Sequence, residues 1–398
     1  MRDTHEVHHS NRRTMFAPYV TLFAVLALSG CGALTGFMGD DENEPAPAKL
    51  EAFEPTTQIK KLWSRRAASG ESGQHLKLRT VLAGGQVFAA GHDGDVAAFD
   101  PFTGHQLWEV ETDAPITGGP GAGFGLVVVG SSGGAVVALT SEQGDVAWRA
   151  RVTSEVLSAP AVGERIVAVR TVDGKLFGLD AASGERSWVY DRTVPVLTLR
   201  GTSAPVIVGD VVLAGFDSGH LAALSLADGQ LLWEARVAAP TGSTELERLT
   251  DMDADPVVGD GVVYAVTFQG RVAALDLRTG QSLWQRDLSS HAGIGIGRRL
   301  IYVTDDRSHV WALDRNTGSS LWRQDGLERR QVTRPVEFGD YVAVADFEGH
   351  VHWLRIDDGR FAARTRVGGS SVLAPPVTNE TALYVLGESG TLTALTVR

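Results

Sequence analysis

The sequence predicts an all-β fold, an eight-bladed β-propeller of four-stranded antiparallel blades that is closed by the N-terminal strand. The first observation is a motif, Gly-x-Val/Leu-x-small-Leu/Phe, that recurs eight times at spacings of 38 to 51 residues. The second is a Trp that follows a turn glycine by four residues in six of the copies. The third is that the last copy stops at Arg398, before its fourth strand. Repeats of this length and content are typical of radial arrays of blades.

Seven copies of the motif open with a glycine and one with a serine, and a small residue four positions later in seven copies lets neighbouring sheets approach closely. The opening positions are Gly94, Gly134, Gly174, Gly219, Gly270, Ser308, Gly349 and Gly390. The small residues are Ala98, Ala138, Gly178, Ala223, Ala274, Ala312 and Ala394.

A Trp in each blade can fill the gap between two blades and bury about 200 Å² there. Ala363 stands at this position in the seventh copy and breaks the series. Because the aromatic residues follow the repeat period, we interpret them as structural rather than as a ligand-binding box. They are Trp108, Trp148, Trp188, Trp233, Trp284 and Trp322.

Single copies divide into four short strands. In the third copy, two apolar runs flank the turn Gly163-Glu164, a third run covers 174–180, and a fourth covers 186–190. Similar Gly-Asp pairs recur elsewhere, and glycine supplies the positive φ that tight hairpins require.

The two ends of the repeat region complement each other. The eighth copy lacks room for a fourth strand, whereas Lys60-Lys61-Leu62-Trp63 precedes the first copy and reads as a fourth strand. We therefore expect Trp63 to complete the last blade, which removes the open edges of the ring.

The N-terminal residues 1–30 have the features of a secretory signal peptide. A basic pair, Arg12-Arg13, precedes an apolar run that is too short for a spanning helix. Leu-Ser-Gly-Cys at 28–31 resembles the bacterial lipobox, which implies that Cys31 is diacylated and becomes the mature N-terminus. Gly32, rather than Asp, implies sorting to the outer membrane. Sec export is favoured, although the arginine pair leaves a twin-arginine route open.

Residues 31–57 are expected to form the lipidated N-terminus and a flexible tether, because Gly, Pro, Ala and acidic residues offer little to bury. The propeller is then predicted over 58–398. A formal net charge of −12 opposes contact with phosphate backbones, which excludes nucleic acid as a partner. With a single cysteine, neither an intrachain disulfide nor a Cys-based metal site can form.

Neither of the two candidate metal sites satisfies the expected pattern, so no metal or cofactor is predicted. His350 and His352 share one strand face, yet His350 occupies a repeat position that is simply polar in the other copies. The run 251–255 has Asp at alternate positions, but a calcium loop would need Gly where Pro256 stands and Glu where Val262 stands. A solvated acidic loop is the plainer interpretation.

Two widened spacings carry the candidate binding surface. The connection around 194–201 places Leu197 and Leu199 on one face of an extended segment beside Arg200. The next connection, in the longest spacing, holds Asp251 and Asp253. Extended connections on regular blades are common binding surfaces. Because the blades are adjacent, we expect apolar, cationic and anionic groups to meet in one protein-docking patch.

At these residues the chain resembles the BamB family, lipoprotein subunits of the β-barrel assembly machinery of Gram-negative outer membranes. The resemblance covers the lipobox, the tether and all eight blades. Residues 197–201 and 249–253 resemble the two family loops that contact the periplasmic domains of the central barrel subunit, BamA. The resemblance implies docking by Leu197, Leu199, Arg200, Asp251 and Asp253. It also implies a non-enzymatic scaffold, anchored by lipid to the outer membrane and facing the periplasm, that helps to deliver or orient unfolded outer-membrane proteins.

Two alternatives use the same architecture. The repeat Ala-x-Asp-x-x-Thr-Gly-x-x-x-Trp is shared with quinone-dependent dehydrogenases, but those enzymes commonly carry a vicinal cysteine pair, and this chain has one cysteine. An anchored propeller that serves another periplasmic partner is the second alternative.

Overall fold

The computed structural model describes residues 45–70, 76, 78–192, 203–238 and 251–398. This part of the chain forms eight four-stranded antiparallel sheets. Its only helix is a single 3-10 turn, Asp217–Gly219, and no helix in it is long and apolar enough to cross a membrane. The predicted all-β, eight-bladed propeller is therefore confirmed.

Blades 1 to 4 each use four consecutive strands, whose bounds follow. Blade 1 contains β2 (Val81–Ala83), β3 (Gln86–Ala90), β4 (Asp95–Phe99) and β5 (Gln106–Glu111). Blade 2 contains β6 (Ile116–Gly123), β7 (Leu126–Ser131), β8 (Ala135–Thr140) and β9 (Val146–Arg151). Blade 3 contains β10 (Ala161–Val162), β11 (Ile166–Arg170), β12 (Lys175–Asp180) and β13 (Arg186–Asp191). Blade 4 contains β14 (Val206–Val208), β15 (Val211–Phe216), β16 (His220–Ser225) and β17 (Leu231–Arg236).

Blades 5 to 7 follow the same order, whereas blade 8 joins both ends of the chain. Blade 5 contains β18 (Val257–Gly259), β19 (Val262–Val266), β20 (Arg271–Asp276) and β21 (Ser282–Asp287). Blade 6 contains β22 (Gly293–Ile296), β23 (Leu300–Thr304), β24 (Val310–Asp314) and β25 (Ser320–Gln324). Blade 7 contains β26 (Val336–Phe338), β27 (Tyr341–Ala345), β28 (His350–Arg355) and β29 (Phe361–Arg366). Blade 8 contains β30 (Val377–Thr378), β31 (Leu383–Leu386), β32 (Thr391–Val397) and β1 (Ile59–Arg66).

The N-terminal strand closes the ring as predicted. Strand β1 pairs antiparallel with β32, with Trp63 opposite Ala394. Because strands alternate in direction, one side of the ring carries the turns between strands 2 and 3 and the connections between blades. We call this side the loop face. The opposite side, the turn face, carries the hairpins between strands 1 and 2 and the turns between strands 3 and 4.

Seven tryptophans lie between neighbouring blades in a shared arrangement. Each indole Nε1 donates to a main-chain oxygen in the 3–4 turn of the next blade, as Trp63 does to Pro101 at 2.9 Å. The ring then covers the turn glycine, and a Cβ built on Gly104 would lie 2.5 Å from Trp63 Cδ2. The other six pairs are Trp108 on Gly144, Trp148 on Gly184, Trp188 on Gly229, Trp233 on Gly280, Trp284 on Gly318, and Trp322 on Gly359.

Blade 7 explains the exception at Ala363. This alanine lies opposite Trp353, so the large and small residues have exchanged strands relative to the other blades. Trp353 is fully buried and packs with Phe338 in the cluster between blades 7 and 8. The sequence motif, read along one strand at a time, did not reveal this exchange.

Each outermost strand shifts register just before the Trp position. In blade 1, Ala98 pairs with Trp108 but Phe99 pairs with Gln106, so Leu107 is bulged outward. Equivalent shifts occur in the described 3–4 pairs of the other blades. Bulges twist an outer strand and hinder pairing with other chains.

The predicted tether is wrong in its last part. The compact unit that contains the propeller begins at Pro47 rather than at residue 58. Leu50 packs against the core cluster of blades 6 and 7, and Phe53 stacks on Phe361 with ring centroids 5.5 Å apart. Composition alone did not reveal these two apolar anchors, because polar residues and prolines surround them.

Candidate docking site

The described ends of both widened connections lie on the loop face. The connections run from β13 to β14 and from β17 to β18, so they join blades 3, 4 and 5. Leu197, Leu199 and Arg200 lie outside the described residues. Asp251 and Asp253 are described, and they sit where the second connection enters blade 5.

The described ends of the two connections meet at one carboxylate. Asp255 Oδ1 accepts a hydrogen bond from Ala204 N at 2.6 Å. Its other oxygen pairs with Arg79 Nη1 at 2.6 Å, from the connection that enters blade 1. Burial alone would raise the pKa of Asp255, but Arg79 and Arg334 hold it below its ordinary value. The carboxylate therefore stays ionised and fixes the base of both connections.

The acidic run is not the solvated loop of the plainer interpretation, because Met252 anchors it. The Met252 side chain is buried in the core between blades 4 and 5, against Gly215. Asp251 is buried as well, and its main-chain oxygen accepts from Phe268 N at 2.9 Å. Asp253 is half-buried. Residues 251–253 are thus held by the core, and that they contact a partner stays a prediction.

A buried ion cluster lies beneath the same segment. Arg170, at the end of β11, is 3.5 Å from Asp217, at the end of β15, and both are buried. Burial raises the pKa of Asp217 to about 6, and Arg170 opposes this shift while Asp251 and Asp253 add to it. Burial lowers the pKa of Arg170, an effect that the three carboxylates oppose. Arg170 therefore lies in the field of three carboxylates, and Arg192 adds a second positive charge near Asp217.

Charged side chains of the described residues converge near the centre of the loop face. Residues from six connections line a cavity of about 60 Å³ there, including Arg79, Asp253, Asp255, His291 and Arg334. Pockets that hold cofactors or drug-sized ligands are typically about 300–1,000 Å³. Arg79 and Asp255, which line this cavity, form an ion pair with each other.

The histidine pair on β28 is engaged within the protein. His350 and His352 lie on one face with ring centroids 6.0 Å apart. His352 Nε2 bonds Asp346 Oδ2 at 2.9 Å, and Arg364 Nε donates to His352 Nδ1 at 3.2 Å. Asp346, Glu348 and His350 each offer one possible metal-ligand atom, and these three atoms lie within 4.8 Å of one another. The guanidinium of Arg330 already bonds both carboxylates, so it supplies the positive charge there.

Sequence reasoning missed Arg79, Arg170, Asp217 and Asp255 as members of this region. Arg170 ends the second strand of blade 3, Asp217 directly follows the second strand of blade 4, and neither belongs to the repeated motif. The packing of adjacent blades brings them close to Asp251. Cys31, the predicted lipidation site, lies outside the described residues.

The fold and the loop-face cluster define a class, the eight-bladed propellers with quinoprotein-type repeats. The solved quinohemoprotein alcohol dehydrogenase from Comamonas testosteroni has this fold, with a TM-score of 0.66 at 13% identity over 85% of this chain and 76% of that chain. A likeness at that identity reflects the fold alone.

Within that class, the family profile described as "Outer membrane protein assembly factor BamB" matches residues 92–324 and 316–398. The protein of that name from Pseudomonas aeruginosa is 46% identical over 375 residues, which cover 94% of this chain and 98% of the relative. The crystal structure of BamB from Moraxella catarrhalis superposes with a TM-score of 0.78 at 28% identity, over 85% of this chain and all of that chain. The chain belongs to the BamB family of outer membrane protein assembly factors.

Proposed function

We propose that the protein is a non-enzymatic scaffold subunit of the outer-membrane β-barrel assembly machinery, which binds BamA and assists the insertion of β-barrel proteins. Family membership supports the role in assembly, because the relatives are named outer membrane protein assembly factors. In this proposal, unfolded outer-membrane proteins are the clients that the scaffold helps to deliver or orient.

The observation that supports the proposal is the contact between the described ends of the two widened connections on the loop face. Asp255 bonds Ala204 of the first connection, and Met252 fixes the second connection in the core. A surface held in this way is preorganised, which lowers the entropy cost of docking a partner. Leu197, Leu199, Arg200, Asp251 and Asp253 are the proposed contacts with BamA.

The small cavity near the centre of the loop face favours a scaffold over a quinone-dependent dehydrogenase. The described charged side chains converge on a cavity of about 60 Å³, and two of them, Arg79 and Asp255, form an ion pair. A quinone cofactor would require a larger site than this one.

Lipid anchoring at Cys31 completes the proposal. Diacylation would hold the propeller at the periplasmic side of the outer membrane, because two acyl chains suffice for stable anchoring. Cys31→Ala is expected to release the mature protein into the soluble periplasmic fraction, and palmitate labelling would be lost. A Cys31→Ala protein that stays labelled and membrane-bound would contradict the anchor.

Co-purification with BamA tests the docking surface. We expect Leu197→Ala/Arg200→Ala to reduce capture of BamA at least about 10-fold, as loss of one apolar and one charged anchor implies. Asp253→Asn is expected to weaken capture as well. It is preferable to Asp251→Ala, because replacing the buried Asp251 would leave Arg170 less compensated and would disturb folding.

A matched control replaces one apolar and one cationic side chain on the turn face. Phe102 is 66% exposed there, and the Arg298 side chain is 75% exposed. Phe102→Ala/Arg298→Ala should leave capture of BamA unchanged. Equal capture by the loop-face variant and this control would refute the proposed surface, provided that the Tm values agree.

A further inference from the structure

Residues 48–56 form an extended segment, here called the strap, that lies on the outside of blades 6 and 7. Ala48, Leu50 and Phe53 are half-buried, whereas Lys49 and Glu54 are exposed. The segment contains no regular strand or helix. It nevertheless contacts the ring along its whole length, as a bound peptide does.

Two arginines of the ring donate to main-chain oxygens of the strap. Arg330 Nη1 donates to Ala48 O at 3.0 Å, and Arg364 Nη1 donates to Glu51 O at 3.1 Å. A guanidinium that bonds a main-chain oxygen recognises an extended backbone whatever its side chains are.

Main-chain hydrogen bonds fix both ends of the strap. Ala48 N donates to Glu328 O at 2.9 Å, and Thr56 N donates to Ala362 O at 2.9 Å. Ala362 belongs to β29, the outermost strand of blade 7. The strap therefore begins on the connection that enters blade 7 and ends on the outer edge of that blade.

Apolar side chains provide two anchors between these ends. Leu50 packs against the core cluster that contains Leu327. Phe53 stacks on Phe361, and the Arg364 guanidinium carbon lies 5.1 Å from the centroid of the Phe53 ring. A cation over an aromatic face is attracted by the negative charge density of the ring.

The two arginines are held in place from beneath by a buried network. Arg330 Nε donates to Asp346 Oδ2 at 2.8 Å, and His352 bonds the same oxygen. Arg364 can only donate, so His352 Nδ1 accepts from it and His352 Nε2 carries the proton. Asp346 and His352 are fully buried. The network therefore holds both arginines in the orientation in which they contact the strap, as expected of a preorganised site.

We propose that this surface of blade 7 is a binding site for an extended peptide with an aliphatic residue and an aromatic residue three positions apart. Its occupant is the strap of the same chain, which acts as an intramolecular clasp. The covalent link gives the strap an effective concentration of about millimolar. A second peptide of the same chemistry gains access only when the strap is released, so the strap is autoinhibitory for this site.

A labelled peptide with the sequence of residues 46–57 tests the proposal on the full chain. The Leu50→Ala/Phe53→Ala variant weakens the strap, and we expect it to bind the peptide at least about 10-fold more tightly than the wild type does, by fluorescence anisotropy. Adding Arg364→Ala to that variant should abolish the gain. Equal binding by the wild type and the strap variant would overturn the proposal, as would a gain that survives Arg364→Ala.

Hydrogen exchange decides the matter if the combined variant does not fold. In the single variant Phe53→Ala, the amides of Ala48 and Thr56 should exchange at least about 10-fold faster, while the strand amides of blade 2 keep their protection. Lys49→Ala, at an exposed strap position, is the matched control and should change nothing. Unchanged exchange of both amides in Phe53→Ala would show that the strap is ordinary core packing and would overturn the clasp.

Discussion

At seven of the eight junctions between described blades, from blades 8 and 1 round to blades 6 and 7, a Trp on the fourth strand fills the gap. At the junction between blades 7 and 8, the Trp lies on the third strand instead. In the first group, an indole donates to an oxygen of the next blade's 3–4 turn, as Trp322 does to Ile356 O at 2.6 Å. At the last junction, Trp353 occupies the third strand, and its buried Nε1 has no hydrogen-bond partner among the described residues.

The difference follows from how the ring is closed. Strands β32 and β1 come from opposite ends of the chain, so no 3–4 turn connects them. A fourth-strand Trp in blade 7 would therefore have neither a turn glycine to cover nor a turn oxygen to bond. The exchange between Trp353 and Ala363 keeps the volume of the gap constant without that turn. Closure by the N-terminal strand thus changes the side-chain pattern of the blade before it.

Among the single substitutions, loss of Trp63 should have the largest effect, because this residue completes the arrangement at the point of closure. Trp63→Ala removes a buried indole and its bond to Pro101 O, at a cost of about 3–5 kcal/mol. Leu62→Ala, at the neighbouring bulged and exposed position, is the control and should cost less than about 1 kcal/mol. Urea unfolding measures both. Similar midpoints for the two variants would contradict closure through Trp63.

Deletion of residues 59–66 extends this test. Without β1, blade 8 loses its outer strand, and we expect Tm to fall by at least about 10 °C. An unchanged Tm would mean that the ring does not depend on this strand.

Gly104→Ala tests the contact from the opposite side and should have the next largest effect. Gly104 has φ +68°, and an added Cβ would meet the Trp63 ring. Gly84 has φ +55° with nothing within 4 Å, so Gly84→Ala carries the backbone strain alone. Strain of this kind costs about 1–2 kcal/mol, and we expect Gly104→Ala to exceed it by about 2 kcal/mol. Equal losses of stability would show that the turn yields without moving the indole.

Substitution by Phe separates the two kinds of junction. Trp322→Phe leaves Ile356 O without its donor, which should add about 1–2 kcal/mol to the cost of the smaller ring. Trp353→Phe removes a buried N–H donor that has no partner among the described residues, so only the loss of side-chain volume lowers the stability of this variant. We therefore expect Trp353→Phe to be the milder variant by at least about 1 kcal/mol in urea unfolding. The reverse order would indicate that Trp353 Nε1 finds an acceptor in solution.

The seven regular junctions could be predicted from the sequence, because the same motif and the same Trp spacing recur in successive copies. Closure by Trp63 was also predictable, since the last copy lacks a strand and the first is preceded by one. The exchange at Trp353 was not, because it becomes visible only when Ala363 is placed opposite it on the neighbouring strand. The burial of Asp251 was hidden for a similar reason, as it depends on Met252 entering a gap that two blades form. Leu50 and Phe53 stand isolated in a polar segment, and their partners lie about 300 residues away.

Acidification should change the local stability of blade 7 and of blades 3 and 4 in opposite directions, and this is the smallest of the expected effects. Burial lowers the pKa of His352, so below its ordinary value of about 6.5 the unfolded chain takes up a proton that the folded chain does not. Stability from His352 is therefore present above that pH and is lost as the pH falls. Asp217 behaves in the opposite way. Its pKa is about 6 when folded and about 3.9 when unfolded, so the folded chain takes up a proton between these values and gains stability as the pH falls.

Hydrogen exchange between pH 7 and 5, corrected for the intrinsic rate, measures this contrast. We expect protection of β28 and β29 to decrease, while protection of β11 and β15 is kept or rises. Asp217→Asn should remove the pH dependence near Arg170 and leave blade 7 unaffected. If protection changes in the same direction in blade 7 and in blades 3 and 4, the overall charge governs the response to pH, and the two buried networks do not. The formal net charge of −12 becomes less negative on acidification, and this affects all blades alike.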